Sequence, residues 1–469
     1  MKILNHIKSE TDNVNDDIYD YSYSNHVMNY KSMIKGFNEN LYSIFNQHYK
    51  SLDISLSIKN LFSGEIVNKS ENRAALHHAY RDMFAEKKHN FLPQDFLKSC
   101  AIDIEACINL KEVLIKKGIK NIVTIGIGGS YEGPKLLIES LISKTKQNFN
   151  NIFLTGPDVE ELSEKVESLE QNQTFFIISS KSFSTEETLQ GMTLAKKWLE
   201  LKCNFDDHFI AVTSYAKKAK EFGFKSKNII SFPIEVGGRY SIWSPIALSA
   251  ILELGDFFKD FLIGGSEADH HFLNDKKYKK FIKLISFSDI WHSNFLDKQI
   301  RVVLPYCWKM RSFSNYVQQL EMESIGKKPN STLFKNTGQL IFGGFAPVGQ
   351  HSYFQLLHQG SAEICADIIT IEENKEKNKL LFAQSQVQSS LFSMGKNEYL
   401  NTDEQINGNV PTNLFTLKTL SPRSLGYLIA TWEHRTFITA KMLEINPFDQ
   451  YGVIAGKNFV KKYLENYGG

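Results

Sequence analysis

The chain changes rhythm twice. Up to about residue 93, polar stretches carry apolar residues at helical spacing, Met33, Phe37, Leu41, Ile44 and Phe45 among them, which predicts a helical leader. Between residues 120 and 232, short apolar runs at 122–127, 151–154, 174–178, 208–212 and 229–232 alternate with longer amphipathic stretches. That alternation predicts a parallel sheet with helices on both faces. A second series follows, with strand candidates at 300–305, 340–345 and 366–371, so two α/β layers in tandem are expected. After Ser424, the residues Leu425, Leu428, Ile429 and Trp432 keep a 3.6-residue beat that leads into a helical tail. The expected units are a helical segment over 1–94, a first αβα domain over 95–262, a second over 263–435, and a tail over 436–469. With no low-complexity tract or Pro-rich linker between them, the two halves should pack together.

Composition narrows the partners. The 469 residues carry 54 basic and 52 acidic side chains, a formal charge of +2, so no chain-wide field attracts nucleic acid or an anionic membrane. Any anionic partner must be met locally. A hydrophobic content of 42% provides for real cores and excludes a disordered polymer. The longest apolar windows, such as 241–254, are broken by polar residues and fall short of the ~20 a bilayer span needs. The first eight residues turn polar before a signal core can form. Cys100, Cys107, Cys203, Cys307 and Cys365 are scattered, without CxxC spacing, which argues against a disulfide framework or a zinc knuckle. A cytoplasmic protein is expected.

Two glycine- and hydroxyl-rich turns carry the first chemistry. Residues 122–130 run an apolar strand into Gly126, Gly128, Gly129 and Ser130, a turn that lets a ligand approach the backbone at a helix start. A dinucleotide fold needs a third glycine where Tyr131 stands, although Asp158 after the next strand keeps that alternative open. A turn that merely reverses strand into helix is the plainer reading. After the strand at 175–178 come Ser179, Ser180, Lys181, Ser182, Phe183, Ser184 and Thr185, hydroxyls converging on a helix start in a way that suits a phosphate monoester. Ser184 with Glu187 also reads as a capping box that needs no ligand, and the two readings are compatible.

Three further segments place reactive groups. Gly237 and Gly238 hold Arg239 at a tight turn, where a permanent cation suits a developing oxyanion or a structural ion pair. Glu321 and Glu323 lie two apart on a predicted helix and face different directions, so they are not a dyad and one alone is the candidate base. His351 and His358 share roughly one helical face, but no carboxylate or cysteine completes a metal set.

Together these stretches resemble the glucose-6-phosphate isomerase family. The matching segments are GIGGSYEGP from Gly126, SKSFSTEET from Ser180, VGGRYSIW from Val236, QQLEMESIGK from Gln318, GQHSYFQLLHQG from Gly349, and WEHRTF plus INPFDQYGVIAGK near the end, spanning about 330 residues in order. The resemblance implies two sugar-isomerase (SIS-type, flavodoxin-like) αβα domains and the interconversion of glucose 6-phosphate and fructose 6-phosphate in glycolysis and gluconeogenesis, with no cofactor or metal. It implies Glu323 as the base moving the proton between C1 and C2, His351 from the neighbouring subunit and Lys457 in ring opening, and Arg239 beside the enediolate. It also implies Ser180, Lys181, Ser182 and Thr185 at the phosphate, with Gly129, Ser130, Gln319 and Gln450 as further substrate contacts. The expected partners are a hexose 6-phosphate and a second copy in a homodimer, not nucleic acid or membrane. Departures are Ser182 and Ser184 for threonines, Leu320 and Glu321 for Gly-Asp, Ile325 for asparagine and Ile454 for glutamate. A non-catalytic sugar-phosphate sensor would tolerate loss of Glu323, His351 or Lys457, and all three are present.

Overall fold

The computed structural model describes residues 18–89, 91–142, 147–199, 204–373, 375–396, 398 and 401–467. The first eight residues and Cys203 lie outside them. The described chain opens with an antiparallel hairpin, β1 (Ile18–Ser24) and β2 (Met28–Lys35), and only then turns helical at Glu39–Ser51 and Ile54–Phe62. The helical beat read from Met33 to Phe45 therefore bridges a strand, a loop and a helix. Residues 19–34 instead alternate with period two, Tyr19, Tyr21 and Tyr23 on one strand and Met28, Tyr30, Ser32 and Ile34 on the next, which is the strand signature.

The first sheet is all parallel and built from β3 (Asn121–Ile125), β4 (Asn150–Leu154), β5 (Thr174–Ser179), β6 (Phe209–Thr213) and β7 (Ile229–Ser231) in the order β4-β3-β5-β6-β7. The second uses β8 (Ile300–Pro305), β9 (Leu340–Gly343), β10 (Ile364–Ile371) and β11 (Thr412–Leu417) in parallel, and the β1-β2 hairpin adds antiparallel on the β11 edge. The eight predicted strands are present with small shifts at their ends; β11 and the hairpin complete the second sheet.

Both faces of each sheet are covered, which explains the continuous apolar runs. Phe175 and Ile177 point into one core that continues through Trp243, Phe261, Trp291 and Trp432 to Val303 and Ile369 of the second sheet. Phe176 and Ile178 point the other way, into a separate cluster with Met192, and Leu304 and Ile368 do the same on the far side of the second sheet. The two sheets thus share a central core of helices, among them Phe257–Asn274, Lys276–Phe295 and Pro422–Met442. Among the described residues no helix is long and apolar enough to cross a membrane.

Candidate active site

The first sheet positions two loops side by side. The chain leaves β3 toward β4 and leaves β5 toward β6 on the opposite side, so the loops after β3 and β5 part at the carboxyl edge. Such a switch point is where open α/β sheets leave a crevice for ligands. The glycine turn occupies it tightly. Gly128 has φ +61°, and a Cβ there would meet Gln319 Nε2 at 2.9 Å. A Cβ on Gly129 would lie 1.9 Å from the Gly238 carbonyl oxygen, so this turn and the turn that carries Arg239 touch backbone to backbone. The glycines bring Arg239 inward rather than opening a pyrophosphate cradle. Asp158 caps the helix Val159–Val166, accepting from the Glu160 amide at 2.9 Å, which leaves the dinucleotide reading without its acidic partner.

Arg239 is buried, 3% exposed, and its guanidinium is fully engaged. Nε donates to Ser324 Oγ at 2.7 Å, Nη1 to Gln450 Oε1 at 2.9 Å and to Glu323 Oε2 at 3.3 Å, and Nη2 to the carbonyls of Asp449 at 3.0 Å and of Pro447. Ser324 is itself held by the Tyr240 hydroxyl at 2.9 Å. Glu323 lies in the last turn of the helix Phe313–Ile325, and its other oxygen accepts from Gln319 Nε2, one helical turn earlier, at 3.3 Å. Its side chain stays 35% exposed, open to a cleft of about 1210 Å³. Glu321, two residues away, turns into the interior and pairs with Arg301 of β8. The two carboxylates are thus divided between cleft and core, as helical geometry requires. Ile325 is also on the core side, 5% exposed, so its apolar side chain does not intrude on the cleft.

The hydroxyl loop runs beside the glycine turn, since a Cβ on Gly126 would contact the Ser179 carbonyl at 2.8 Å. Buried Phe183 adopts φ +46° and anchors the loop in the apolar cluster beneath it. Ser180 Oγ donates to Thr185 Oγ1 at 3.3 Å, and Ser184 Oγ donates to Ser182 Oγ at 3.0 Å. The helix starts at Glu186, which puts Thr185 rather than Ser184 at the cap position. The Lys181 backbone carbonyl accepts from Thr213 Oγ1 at 3.0 Å, and burial, reinforced by the nearby Arg73 charge, draws its ammonium down to about 8. The Arg73 and Arg239 cations and the Glu71 and Glu235 carboxylates all act on this partly buried ammonium.

Ser130 is buried at the end of the glycine turn, and Gln450 lines the cleft. Two predicted residues stand apart from this group. His351 follows the short helix Ala346–Gln350, is exposed, and does not line its own chain's cleft. Lys457 is exposed on the helix Ile454–Tyr467; the cleft is lined as far as Ala455 and not by Lys457. His358 packs against Phe392, ring centroids 5.0 Å apart, and among the described residues no group of three or more His, Cys, Asp or Glu is arranged to hold a metal.

The sequence reading passed over a second cation in the cleft. Lys327 pairs with Asp449 at 3.0 Å and donates to the Asn446 carbonyl, and burial, with the Arg239 charge acting the same way, brings it down to about 8. Its signal was its place in the segment from Gln318, just past the Gly326 cap that ends the helix carrying Glu323.

The phosphoglucose isomerase family profile matches residues 32–467. A glucose-6-phosphate isomerase of Shewanella putrefaciens is 35% identical over 451 residues, covering 87% of this chain and 82% of that one. One of Buchnera aphidicola is 35% identical over 449 residues, covering 87% and 81%. Among solved structures, a glucose-6-phosphate isomerase from Chlamydia trachomatis superposes with a TM-score of 0.88 at 24% identity, covering 100% of this chain and 96% of that one. On this match, which takes in all the parallel strands and every segment of the cleft, the chain belongs to the phosphoglucose isomerase family.

Proposed function

We propose that the chain interconverts D-glucose 6-phosphate and D-fructose 6-phosphate, and that the cleft at Glu323 and Arg239 is where it does so. The observation that carries the reading is the 3.3 Å contact of a cleft-facing carboxylate with a buried guanidinium, beside a hydroxyl loop suited to phosphate. The 6-phosphate sits at Ser180, Lys181, Ser182 and Thr185, and binding there fixes the reacting carbons near the base. Gly129, Ser130, Gln319 and Gln450 contact the sugar.

Glu323 takes the C2 proton of the open aldose, giving a cis-enediolate, and returns it to C1; adjacent carbons allow one carboxylate to serve both. A carbon acid is far weaker than a carboxylic acid, and each unit of mismatch costs ~1.4 kcal/mol. Arg239, fixed by its hydrogen bonds before the reaction, stabilises the developing oxyanion; one preorganised donor contributes ~3 to 4 kcal/mol. Ring opening requires a proton shuttle, which we assign to His351 of a second copy and to Lys457. The exposure of His351 away from its own cleft supports a homodimer with shared sites. A cytoplasmic setting belongs to the same proposal and is supported by the free thiols of Cys100, Cys107, Cys307 and Cys365.

The test feeds fructose 6-phosphate in deuterated water and follows product and isotope by NMR. Wild type should form glucose 6-phosphate labelled at C2, whereas Glu323→Gln should bind the sugar phosphate but lose both turnover and exchange. Normal exchange in that variant overturns the assignment of the base.

A further inference from the structure

The second sheet repeats the topological device of the first. The chain leaves β8 toward β9 and leaves β10 toward β11 on the opposite side, so the loops after β8 and β10 diverge at the carboxyl edge. By the same geometry that opens the first crevice, a second is expected there. It exists: a cavity of about 290 Å³ lies between Cys307, Trp308 and Lys309 after β8 and Glu373 and Asn378 after β10, with Phe382 on its wall. It shares no lining residue with the cleft at Glu323. The intervening helix Phe313–Ile325 starts just beyond the second crevice and carries Glu323 in its last turn, ~15 Å along its axis at 1.5 Å per residue.

The lining specifies a chemistry. Trp308 is 58% exposed yet fixed in place, with Phe345 edge-on at 5.3 Å and the Arg311 guanidinium 4.6 Å from its ring centre. A rigid aromatic at a cavity mouth is a platform for a planar or apolar body. Opposite it begins the 16-residue helix Lys379–Met394, whose positive end reaches the cavity at Asn378, and the buried Tyr306 hydroxyl, without a hydrogen-bond partner among the described residues, lines the same cavity. Lys309 adds a cation on the β8 side, while the Glu373 carboxylate is directed to the Leu420 amide at 3.4 Å. We propose that this crevice is a second ligand site, separate from the catalytic cleft, for a small organic anion: a phosphate or carboxylate held between Lys309 and the helix start, on a planar or apolar body laid against Trp308. The inference stands on the second sheet alone and does not require the proposed isomerase activity.

The experiment uses the full chain and two probes, AMP and phosphoenolpyruvate, titrated by calorimetry with a saturating hexitol 6-phosphate present to fill the first crevice. Cys307 reports on occupancy, because it lines the cavity and its alkylation by N-ethylmaleimide can be followed by peptide mass spectrometry. The expected result is that at least one probe binds, that Lys309→Ala weakens it at least about tenfold, that Leu381→Trp, which fills the cavity, abolishes it, and that the bound probe slows Cys307 alkylation at least about fivefold. Turnover without probe should be unchanged in Lys309→Ala, which also covers the case in which the tryptophan variant fails to fold. The proposal is overturned if neither probe binds at about 10 mM, if Lys309→Ala leaves affinity unchanged, or if saturating probe leaves Cys307 alkylation at its free rate. Inorganic phosphate binding as tightly as AMP overturns the platform role of Trp308.

Discussion

Arg239→Lys separates the structural role that Arg239 shows from the catalytic role proposed for it. The guanidinium reaches five acceptors: Ser324 Oγ, Glu323 Oε2, Gln450 Oε1 and the carbonyls of Pro447 and Asp449. An ammonium keeps the charge but has three N–H donors, so at least two acceptors lose their partner. A hydrogen bond to a charged group contributes about 1.5 to 3 kcal/mol, and water entering from the cleft replaces part of that, so unfolding free energy should fall by about 2 to 4 kcal/mol. The catalytic effect has a different origin. Losing the fixed, planar donor beside Glu323 removes one preorganised contact to the oxyanion, typically 10²- to 10³-fold in kcat, or about 2.7 to 4 kcal/mol.

The assay is kcat and KM for fructose 6-phosphate together with C2 exchange, alongside denaturant unfolding. The expected pattern is a large fall in kcat and exchange with little change in KM, because the proposed phosphate contacts lie on the other loop. If kcat stays within about threefold while stability falls by the stated amount, the reasoning is refuted. Arg239 would then be a strap fixing residues 447–449 against the glycine turns, and stabilisation of the enediolate would have to come from elsewhere.

Three other outcomes follow from the site. Lys181 loses its charge as pH rises through about 8, so affinity for the phosphate should weaken above that value. Bound dianion holds the proton on, so kcat/KM should fall while kcat stays flat, and Lys181→Ala should lose this alkaline limb; persistence of the limb would assign it to another group such as Lys327. Glu321→Gln removes the charge facing buried Arg301 and should cost about 3 to 5 kcal/mol in chemical unfolding, while the surviving folded fraction still exchanges at C2 but more slowly, its base being less firmly held; complete loss of exchange without loss of stability would give Glu321 a direct catalytic role. Mixing inactive His351→Ala with inactive Glu323→Gln should restore activity through hybrid sites, and no recovery after demonstrated subunit exchange would count against sharing.

Eight of the parallel strands were legible as short apolar runs, the central ones buried on both faces, as the division of Phe175 and Ile177 from Phe176 and Ile178 shows, whereas β11 was not read. The β1-β2 hairpin was not, because alternation in Tyr19, Tyr21 and Tyr23 was masked by the helical beat of the segment after it. At the site, the separation of Glu321 from Glu323 followed from helix periodicity alone. What periodicity could not supply was long-range pairing: the 1.9 Å approach that forbids a side chain at Gly129 joins turns more than a hundred residues apart, and Arg239 finds two acceptors on the backbone of 447–449. The resemblance named these residues; only the folded chain shows what each one touches.

The placement of Glu321 bears on how Glu323 is held. A base that moves a proton between neighbouring carbons, the role proposed for Glu323, must keep its position to a fraction of an ångström, and Glu323 is in the last turn of its helix, where backbone ends fray most easily. Beneath it, Glu321 pairs with Arg301 of β8, Arg301 meets Asp289 at 3.1 Å, and Arg435 binds Asp289 at 2.7 Å and Asp367 of β10 at 2.7 Å. The network ties the final turns of the helix Phe313–Ile325 to two adjacent strands and to the helices Lys276–Phe295 and Pro422–Met442. Removing such charges from water is costly, and well-packed apolar residues would often stabilise the fold as much. The return lies in geometry: charges with one set of partners fix the helix in one register, and the base above it inherits that register. On this argument, replacing Glu321 and Arg301 together by apolar residues should recover much of the stability lost in Glu321→Gln while leaving kcat depressed; recovery of both would show that packing alone positions the base.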